Sequence, residues 1–248
     1  MAVTMKALSA AELLTVWERG MSLAAPQRAL LLLSAAHPKS TLDQLAQLSV
    51  GQRDAQLLTL REQILGSQIV SLATCPQCGN TLELTFEVAD IRLSDHVEST
   101  ANLSLQLDGY EVEYRLPNSE DLAEISKLAN VSTATQLLQQ RCLCSVHYRD
   151  EKISPEQIPP EVNQAMLAQM AQADPQADIQ LDLSCSDCGH QWQAAFDILT
   201  FFWQELTVWA QRILQEVHQL ASAYSWSEAD ILAMSPQRRQ IYLEMSRP

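Results

Sequence analysis

The stretch Cys75-Pro76-Gln77-Cys78-Gly79 decides the fold of this chain, because it recurs as Cys185-Ser186-Asp187-Cys188-Gly189. In each copy the two-residue spacer lets both sulfurs point at one metal ion, and the glycine permits the positive φ with which the chain turns back. Alternating apolar residues flank each copy, before it over 68–74 and 178–183 and again after it. Each copy therefore predicts a β-hairpin with a cysteine knuckle at its tip, so that the chain carries one half of a zinc ribbon twice.

Together the two knuckles predict a single tetrahedral Zn²⁺ site, with Cys75, Cys78, Cys185 and Cys188 as its ligands. Four thiolates leave no open coordination position for water or substrate, so the site is predicted to be structural rather than catalytic. The alternative is a pair of thioredoxin-like or disulfide motifs. A redox Cys-x-x-Cys normally lies at the start of a helix, whereas a glycine and an alternating segment follow both knuckles.

The remaining cysteines offer a rival ligand set, because Cys142 and Cys144 lie close to His147. They fall at the end of a predicted helix over 132–143, where two cysteines one residue apart face different directions. We expect both to be buried as small apolar side chains. His190 could replace a thiolate, but a polar residue beside the turn is the simpler interpretation.

Composition narrows the function. The chain has 248 residues, 47% hydrophobic residues and a formal net charge of -14. The hydrophobic residues are enough to bury a core, and the negative charge is unsuited to binding the phosphate backbone of nucleic acid.

The first residues lack the pattern of a secretion signal, and the longest apolar run is too short to span a bilayer, so we expect a cytoplasmic protein with reduced thiols and no membrane insertion. Familiar catalytic motifs and phosphate-binding glycine loops are missing, which predicts a protein that is not an enzyme.

Hydrophobic periodicity predicts an α+β fold in four parts. These are an N-terminal helical region over 1–66, a split zinc ribbon over 67–88 and 178–196, an inserted α+β module over 89–177, and a long helix with a helical tail over 197–248.

Capping residues place the N-terminal helices. Ser9 and Glu12 form a capping box, Pro26 suits a first helical turn, and Ser49 begins a helix that Gly66 can end. This last helix also carries a set of charged residues that we expect on a solvated face, namely Arg53, Asp54, Arg61 and Glu62.

The inserted module begins with a β-hairpin, since alternating residues on both sides of Asp108-Gly109 indicate a type I′ turn. Asn118 is predicted to cap the next helix, a proline-rich loop is expected over 150–160, and a further helix over 161–173.

Apolar residues at helical spacing continue from Asp197 into one long helix with an unusually broad apolar surface. This surface either lies in the chain's own core or pairs with a partner helix or a second copy. The tail is predicted to form two short helices, capped by Ser227 and Ser235. Its aromatic, aliphatic and basic residues form a candidate partner-binding patch, composed of Trp226, Ile231, Met234, Arg238, Arg239 and Tyr242.

Two parts of the chain resemble a known group of proteins. The run Leu48-Ser49-Val50-Gly51-Gln52-Arg53-Asp54-Ala55-Gln56-Leu57-Leu58, followed by Gly66 and the first knuckle, resembles baseplate proteins and baseplate-hub assembly factors of contractile-tailed phages. The tail is similar to the ending of small tail-assembly proteins in such phages and in extracellular contractile injection systems.

This resemblance covers most of the chain outside 89–175 and implies no catalytic residue. It implies a zinc-stabilised structural or chaperone-like protein that binds baseplate, hub or other particle proteins and is incorporated into a particle or acts during assembly. Two rival interpretations come from the knuckles themselves: a zinc-ribbon protein of nucleic-acid binding or transcription, disfavoured by charge, and a thiol oxidoreductase, disfavoured by the glycines.

Overall fold

A computed structural model describes residues 5–93 and 102–246, in which helices and strands combine in the α+β fold that the sequence predicts. The helices are α1 (Ala10–Gly20), α2 (Ala25–Ala36), α3 (Leu42–Ala46), α4 (Val50–Leu65), α5 (Val88–Ile91), α6 (Ser119–Ile125), α7 (Val131–Cys142), α8 (Pro160–Ala173), α9 (Ile198–Tyr224), α10 (Glu228–Leu232) and α11 (Pro236–Met245). The strands are β1 (Gln68–Thr74), β2 (Thr81–Glu87), β3 (Leu103–Leu107), β4 (Tyr110–Tyr114), β5 (Leu143–Tyr148), β6 (Glu151–Lys152), β7 (Ile179–Ser184) and β8 (Gln191–Phe196).

The N-terminal helices begin and end where the capping residues predict. At the start of α1 the Ser9 hydroxyl accepts a 3.3 Å hydrogen bond from the Glu12 backbone N–H, and the Ser9 N–H donates to the Glu12 carboxylate at 2.9 Å. Ser49 caps α4 in the same way, and Gly66 ends that helix with a φ of 91°. These local hydrogen bonds explain why short sequence patterns were sufficient to place the helices.

Two separate antiparallel hairpins, β1–β2 and β7–β8, form the split ribbon. Their pairings are continuous over the full strands, from Gln68 opposite Glu87 and from Ile179 opposite Phe196. The predicted strands were therefore correct to within one residue. Each hairpin has two strands only, so stability must come from packing of its inner face.

The inserted module is a four-stranded antiparallel meander in the order β3-β4-β5-β6, and α8 covers one face. The predicted β3–β4 hairpin and the Asn118 cap are confirmed. The helix expected over 132–143 is correct to within one residue, but β5, which begins directly after it, was not predicted, and the loop expected over 150–160 contains β6. The turn between these strands uses positive φ angles at Arg149 and Asp150. The segment 94–101, which belongs to a polar stretch of ambiguous pattern over 89–102, lies outside the described residues.

The C-terminal part is a helical hairpin. Asp197 caps α9 by accepting hydrogen bonds from the backbone N–H groups of Leu199 and Thr200 at 3.0 and 3.3 Å. The two predicted tail helices, α10 and α11, fold back against the second half of α9. No described helix has the length and apolar character that crossing a membrane requires.

Three hydrophobic clusters hold these elements together. The first joins α1, α2 and α4 to the bases of both hairpins and to the first half of α9. The second lies within the inserted module, and the third joins α1, the second half of α9 and the tail. The broad apolar surface of α9 is thus covered by two clusters of this chain. The division of the chain into four parts stays a prediction.

Candidate metal centre

The two knuckles have the same backbone geometry. In the first, the Gly79 N–H donates to the Cys75 carbonyl at 2.9 Å and the Cys75 N–H donates to the Asn80 carbonyl at 2.8 Å. The second knuckle repeats both bonds at 2.9 and 2.8 Å. The glycines have φ angles of 74° and 71°, a conformation that other residues adopt only with strain. Each turn therefore holds its two cysteines in one orientation.

Four sulfur atoms meet between the hairpin tips. Cys75 Sγ lies 3.7 Å from Cys188 Sγ, and Cys78 Sγ lies 3.6 Å from Cys185 Sγ. All four sulfurs lie within 4.8 Å of one another. A tetrahedron with Zn–S distances of about 2.3 Å has edges of about 3.8 Å, so this donor set fits Zn²⁺.

The electrostatics of the cluster favour a bound cation. Burial opposes ionisation of the Cys75 thiol, but backbone N–H groups of Cys78 and Gln77 outweigh it and lower its pKa to about 7. For Cys78, a backbone N–H of Asn80 favours ionisation, yet the neighbouring sulfurs and burial raise its pKa to about 12. One thiolate forms readily, and further negative charge at the same place needs a positive ion to compensate it.

The arrangement is suited to a structural site rather than to catalysis. Cys75 and Cys185 are buried, whereas Cys78 and Cys188 are exposed at the tips. A tetrahedral ion held by these four residues would have no open coordination position. Its effect would be to cross-link two hairpins that lie far apart in the sequence.

The other two cysteines lie elsewhere in the molecule. Burial raises the pKa of Cys142 to about 12, and this thiol lies at the end of α7 in the core of the inserted module. Cys144 is exposed on β5, 3.8 Å from Asn102 Oδ1. The expectation of burial is therefore confirmed for Cys142 and wrong for Cys144, because β4 pairs with Leu143 and Ser145 on either side of Cys144, which is left unpaired at a shift of register. His147 pairs with Glu111 across the sheet of the inserted module.

The imidazole of His190 is not among the donor atoms of the sulfur cluster. Its ring stacks on Trp192, with the ring centroids 5.9 Å apart. Below the tips, the hairpins meet through Phe86 and Phe196, which contact edge to face at 5.6 Å. The base of the first hairpin is fixed by Ile69, which is fully buried in the first cluster. Apolar contacts hold the bases in place and leave the four sulfurs to join the tips.

A close backbone approach attaches the inserted module beside the ribbon. Asp174 Oδ2 accepts a 2.9 Å hydrogen bond from the Gly51 N–H in the first turn of α4. A Cβ atom on Gly51 would lie 2.7 Å from Asp174 Cγ and 2.9 Å from the Ala177 backbone nitrogen, closer than such contacts allow. Glycine at this position therefore lets the end of the module meet the start of α4.

The charged residues of α4 form buried ion pairs, so the expected solvated face is wrong. Arg61 is 2% exposed and makes a two-pronged pair with Glu205 of α9, at 2.9 and 2.7 Å. Arg53 Nε donates to Asp54 at 2.7 Å, also in the interior. Only Glu62 is half-buried rather than buried.

The spacing of Arg53 and Arg61 along α4 is the signal that could have predicted their burial. Arg53 and Arg61 are spaced four residues before and after Leu57, in the same stripe as the apolar core residues. Burial raises the pKa of Asp54 to about 6, although Arg53 beside it acts in the opposite direction. The charge of this carboxyl group therefore changes near neutral pH.

The residues of the candidate tail patch have different surroundings. Ile231 is fully buried against α9, and Arg239 is buried in a 3.0 Å ion pair with Glu216. Arg239 also donates to the Met234 carbonyl at 2.8 Å. These residues attach the tail to its own long helix.

The rest of the patch is more accessible. Trp226 is half-buried, stacks on Tyr224 at 4.4 Å and meets Tyr242 edge to face at 4.8 Å. Arg238 is exposed, with its guanidinium 5.8 Å from the Tyr242 ring. Aromatic surface beside a cation is typical of interaction sites, so partner binding through this patch stays a prediction.

Comparison with known proteins adds one finding. The family model described as T4 bacteriophage base plate protein matches residues 31–203. This range contains both cysteine hairpins, the whole inserted module and the start of α9. Neither a search of curated proteins nor a search of solved structures gave a match.

Proposed function

Since this chain belongs to the T4 bacteriophage base plate protein family, we propose that it is a non-enzymatic structural or chaperone-like assembly protein of a contractile, phage-tail-like injection system. The family match over residues 31–203 is the observation that carries the proposal. Family membership supports a role in the structure or assembly of a phage baseplate. The proposal adds that this role is exerted by binding alone.

Zinc stabilises the protein in this proposal. Cys75, Cys78, Cys185 and Cys188 would hold one Zn²⁺, supported by sulfur separations of 3.6 and 3.7 Å between the hairpins. Because the ligands come from two hairpins on either side of the inserted module, zinc binding would fix that module relative to the N-terminal helices. Binding free energy of the ion would thereby become folding free energy.

Contacts with other baseplate or hub proteins would use the exposed part of the tail. Trp226, Tyr242 and Arg238 offer an aromatic surface with a cation at its rim, supported by their partial exposure. Ile231 and Arg239 would act indirectly, because they hold this surface on α9. The protein would be made in the cytoplasm and either remain in the particle or leave after assembly.

Deletion of the gene in a strain that makes the particles tests the proposal. We expect loss of complete baseplates and of sheathed particles in electron micrographs, with recovery by the wild-type gene. Mass spectrometry of purified particles then separates a resident subunit, which stays, from an assembly factor, which does not. Normal particle numbers and normal contraction in the deletion strain would contradict the proposed role.

The same strain can test the role of the metal. A Cys185→Ser gene is expected to rescue assembly poorly, because one ligand of the site is lost. The matched control is Cys142→Ala with Cys144→Ala, which removes two thiols outside the cluster and should rescue fully. Equal rescue by both genes would remove zinc from the proposal while leaving the baseplate role untouched.

A further inference from the structure

The outer edge of β1 is an unusual surface for this acidic chain. β1 pairs with β2 on one side, and among the described residues its backbone makes no hydrogen bond to any other element. Its outer face carries Val70, 49% exposed, and Leu72, 68% exposed. Soluble proteins normally protect an open strand edge with charges, proline, a bulge or a covering element.

The second hairpin provides an internal comparison. Counted from the knuckle cysteines, Val70 corresponds to Gln180 and Leu72 corresponds to Asp182. The ribbon fold thus accepts polar residues at both positions, and β7 carries a protective charge at the second of them. The strand Gln68–Thr74 contains no charged residue and no proline over its whole length. The aliphatic pair on β1 therefore requires an explanation other than the zinc-ribbon fold.

We propose that the edge of β1 pairs with β1 of a second copy of this chain. The strands would be antiparallel and related by a two-fold axis at Ser71, which is the middle residue of Gln68–Thr74. In this register Val70 lies opposite Leu72 of the second copy, and Leu72 lies opposite Val70. A single symmetric contact places the two exposed aliphatic side chains of each copy beside those of the other copy on one face of the joined sheet, and it satisfies the free edges of both strands.

Charge supports a second copy at this place. A chain with a net charge of -14 repels its own copies over most of its surface. Here the contacting strand is uncharged, and the nearest outward acids, Glu83 and Glu87, lie on β2. Because β2 is the outer strand of the joined sheet, these carboxylates are separated from their counterparts by both β1 strands. The edge of β1 allows two copies to approach without bringing like charges into contact.

The size of the contact sets its strength. One shared strand edge with four aliphatic side chains buries less than the roughly 1,200 Å² at which stable interfaces begin. The dimer is therefore weak and depends on protein concentration in the micromolar range. Where many copies are held together, the overall affinity of this contact increases, since linked contacts reinforce one another.

Sedimentation velocity over the micromolar range tests the association. The wild-type, zinc-loaded chain is expected to pass reversibly from monomer to dimer as its concentration rises. The variants Leu72→Asp and Val70→Gln copy the residues of the second hairpin and should remain monomeric with unchanged zinc content and thermal unfolding. Glu83→Gln is the matched control, because it changes a residue on the same outer face of β2 and leaves the edge of β1 intact.

Hydrogen exchange locates the contact. Peptides that cover 68–74 should exchange more slowly at high protein concentration in the wild type, but not in Leu72→Asp, while 179–184 should not change. A monomeric wild type at all concentrations would overturn the proposal, as would a dimer that Leu72→Asp leaves intact. Protection of 68–74 only after another baseplate protein is added would also overturn it and assign the edge to a strand of that protein. None of these readouts depends on a role in baseplate assembly.

Discussion

Replacing Gly51 with alanine tests the close approach between α4 and the inserted module. The added Cβ would lie 2.7 Å from Asp174 Cγ and 2.9 Å from the Ala177 nitrogen, so the module must move away. That movement breaks or lengthens the 2.9 Å hydrogen bond from the Gly51 N–H to the buried Asp174 carboxylate. The substitution therefore changes one contact whose geometry is known and touches no residue of the sulfur cluster.

The expected loss of stability follows from three contributions. A hydrogen bond to a charged group is worth about 1.5 to 3 kcal/mol, and a forced overpacking adds about 1 to 3 kcal/mol. Alanine is the better helix former and returns up to about 1 kcal/mol. We expect Gly51→Ala to lower the free energy of unfolding by roughly 1.5 to 6 kcal/mol.

Urea unfolding of four proteins measures this effect: wild type, Gly51→Ala, Asp174→Ala and the double variant. Asp174→Ala removes the side chain that Cβ meets first, so Gly51→Ala should be less harmful in that background. Some loss should remain, because the Ala177 backbone is still close. A neutral or stabilising Gly51→Ala in the wild type would refute the reasoning, as would identical effects in both backgrounds.

The remaining predictions concern the metal, pH, the tail and nucleic acid. Cys185→Ser should release the zinc and lower stability by several kcal/mol, whereas the protein with both Cys142→Ala and Cys144→Ala should retain one ion per chain in metal analysis. The pKa of Asp54 is raised from 3.8 to about 6, so the folded protein holds the proton of this carboxyl group more tightly than the unfolded chain does. The stability that this protonated group contributes below pH 4 is lost as pH rises through 6. Relative to wild type, Asp54→Asn should thus gain roughly 2 to 3 kcal/mol between about pH 4 and pH 7 in urea titrations; a constant difference would contradict this. Trp226→Ala should weaken binding to a baseplate or hub partner by about 2 to 4 kcal/mol with zinc content unchanged, and a fall in melting temperature with full partner binding would show that the residue only holds the tail on α9. Duplex and single-stranded nucleic acid should not bind at physiological salt, and a micromolar gel shift that weakens steeply with salt would show that the charge argument is wrong.

Local patterns made most of the fold predictable. The two knuckles, the caps at Ser9 and Ser49 and the Asp108-Gly109 turn act over a few residues, and the structure confirms them. In such cases the residues that favour a conformation also adopt it, so the conformation can be predicted from a short stretch of sequence. The sulfur cluster was predictable for a related reason, because two matching halves of one site imply each other.

Long-range contacts could not be predicted in the same way. The burial of Arg61 depends on its ion pair with Glu205, and nothing in the sequence near either residue indicates that the two meet. The β5 strand was missed because Cys142 ends a helix whose final turn also suits a helical Leu143. Only its pairing with β4, formed by distant residues, favours the extended conformation. The tail patch falls between these cases, since its helices were predictable and its docking on α9 was not.

The order of the cores along the chain has a consequence for synthesis on the ribosome. The core of the inserted module is built from one continuous stretch, 103–170, and can form as soon as that stretch has emerged. The first cluster, by contrast, joins α1, α2 and α4 to the start of α9, and the first knuckle meets its counterpart only after Cys188. Helices made first must therefore wait, with Cys75 and Cys78 reduced and their apolar faces uncovered, until most of the polypeptide exists. A nascent chain that stops before the second hairpin would display an intact central module between two unfinished ends, a form that cellular proteases can distinguish from the completed protein.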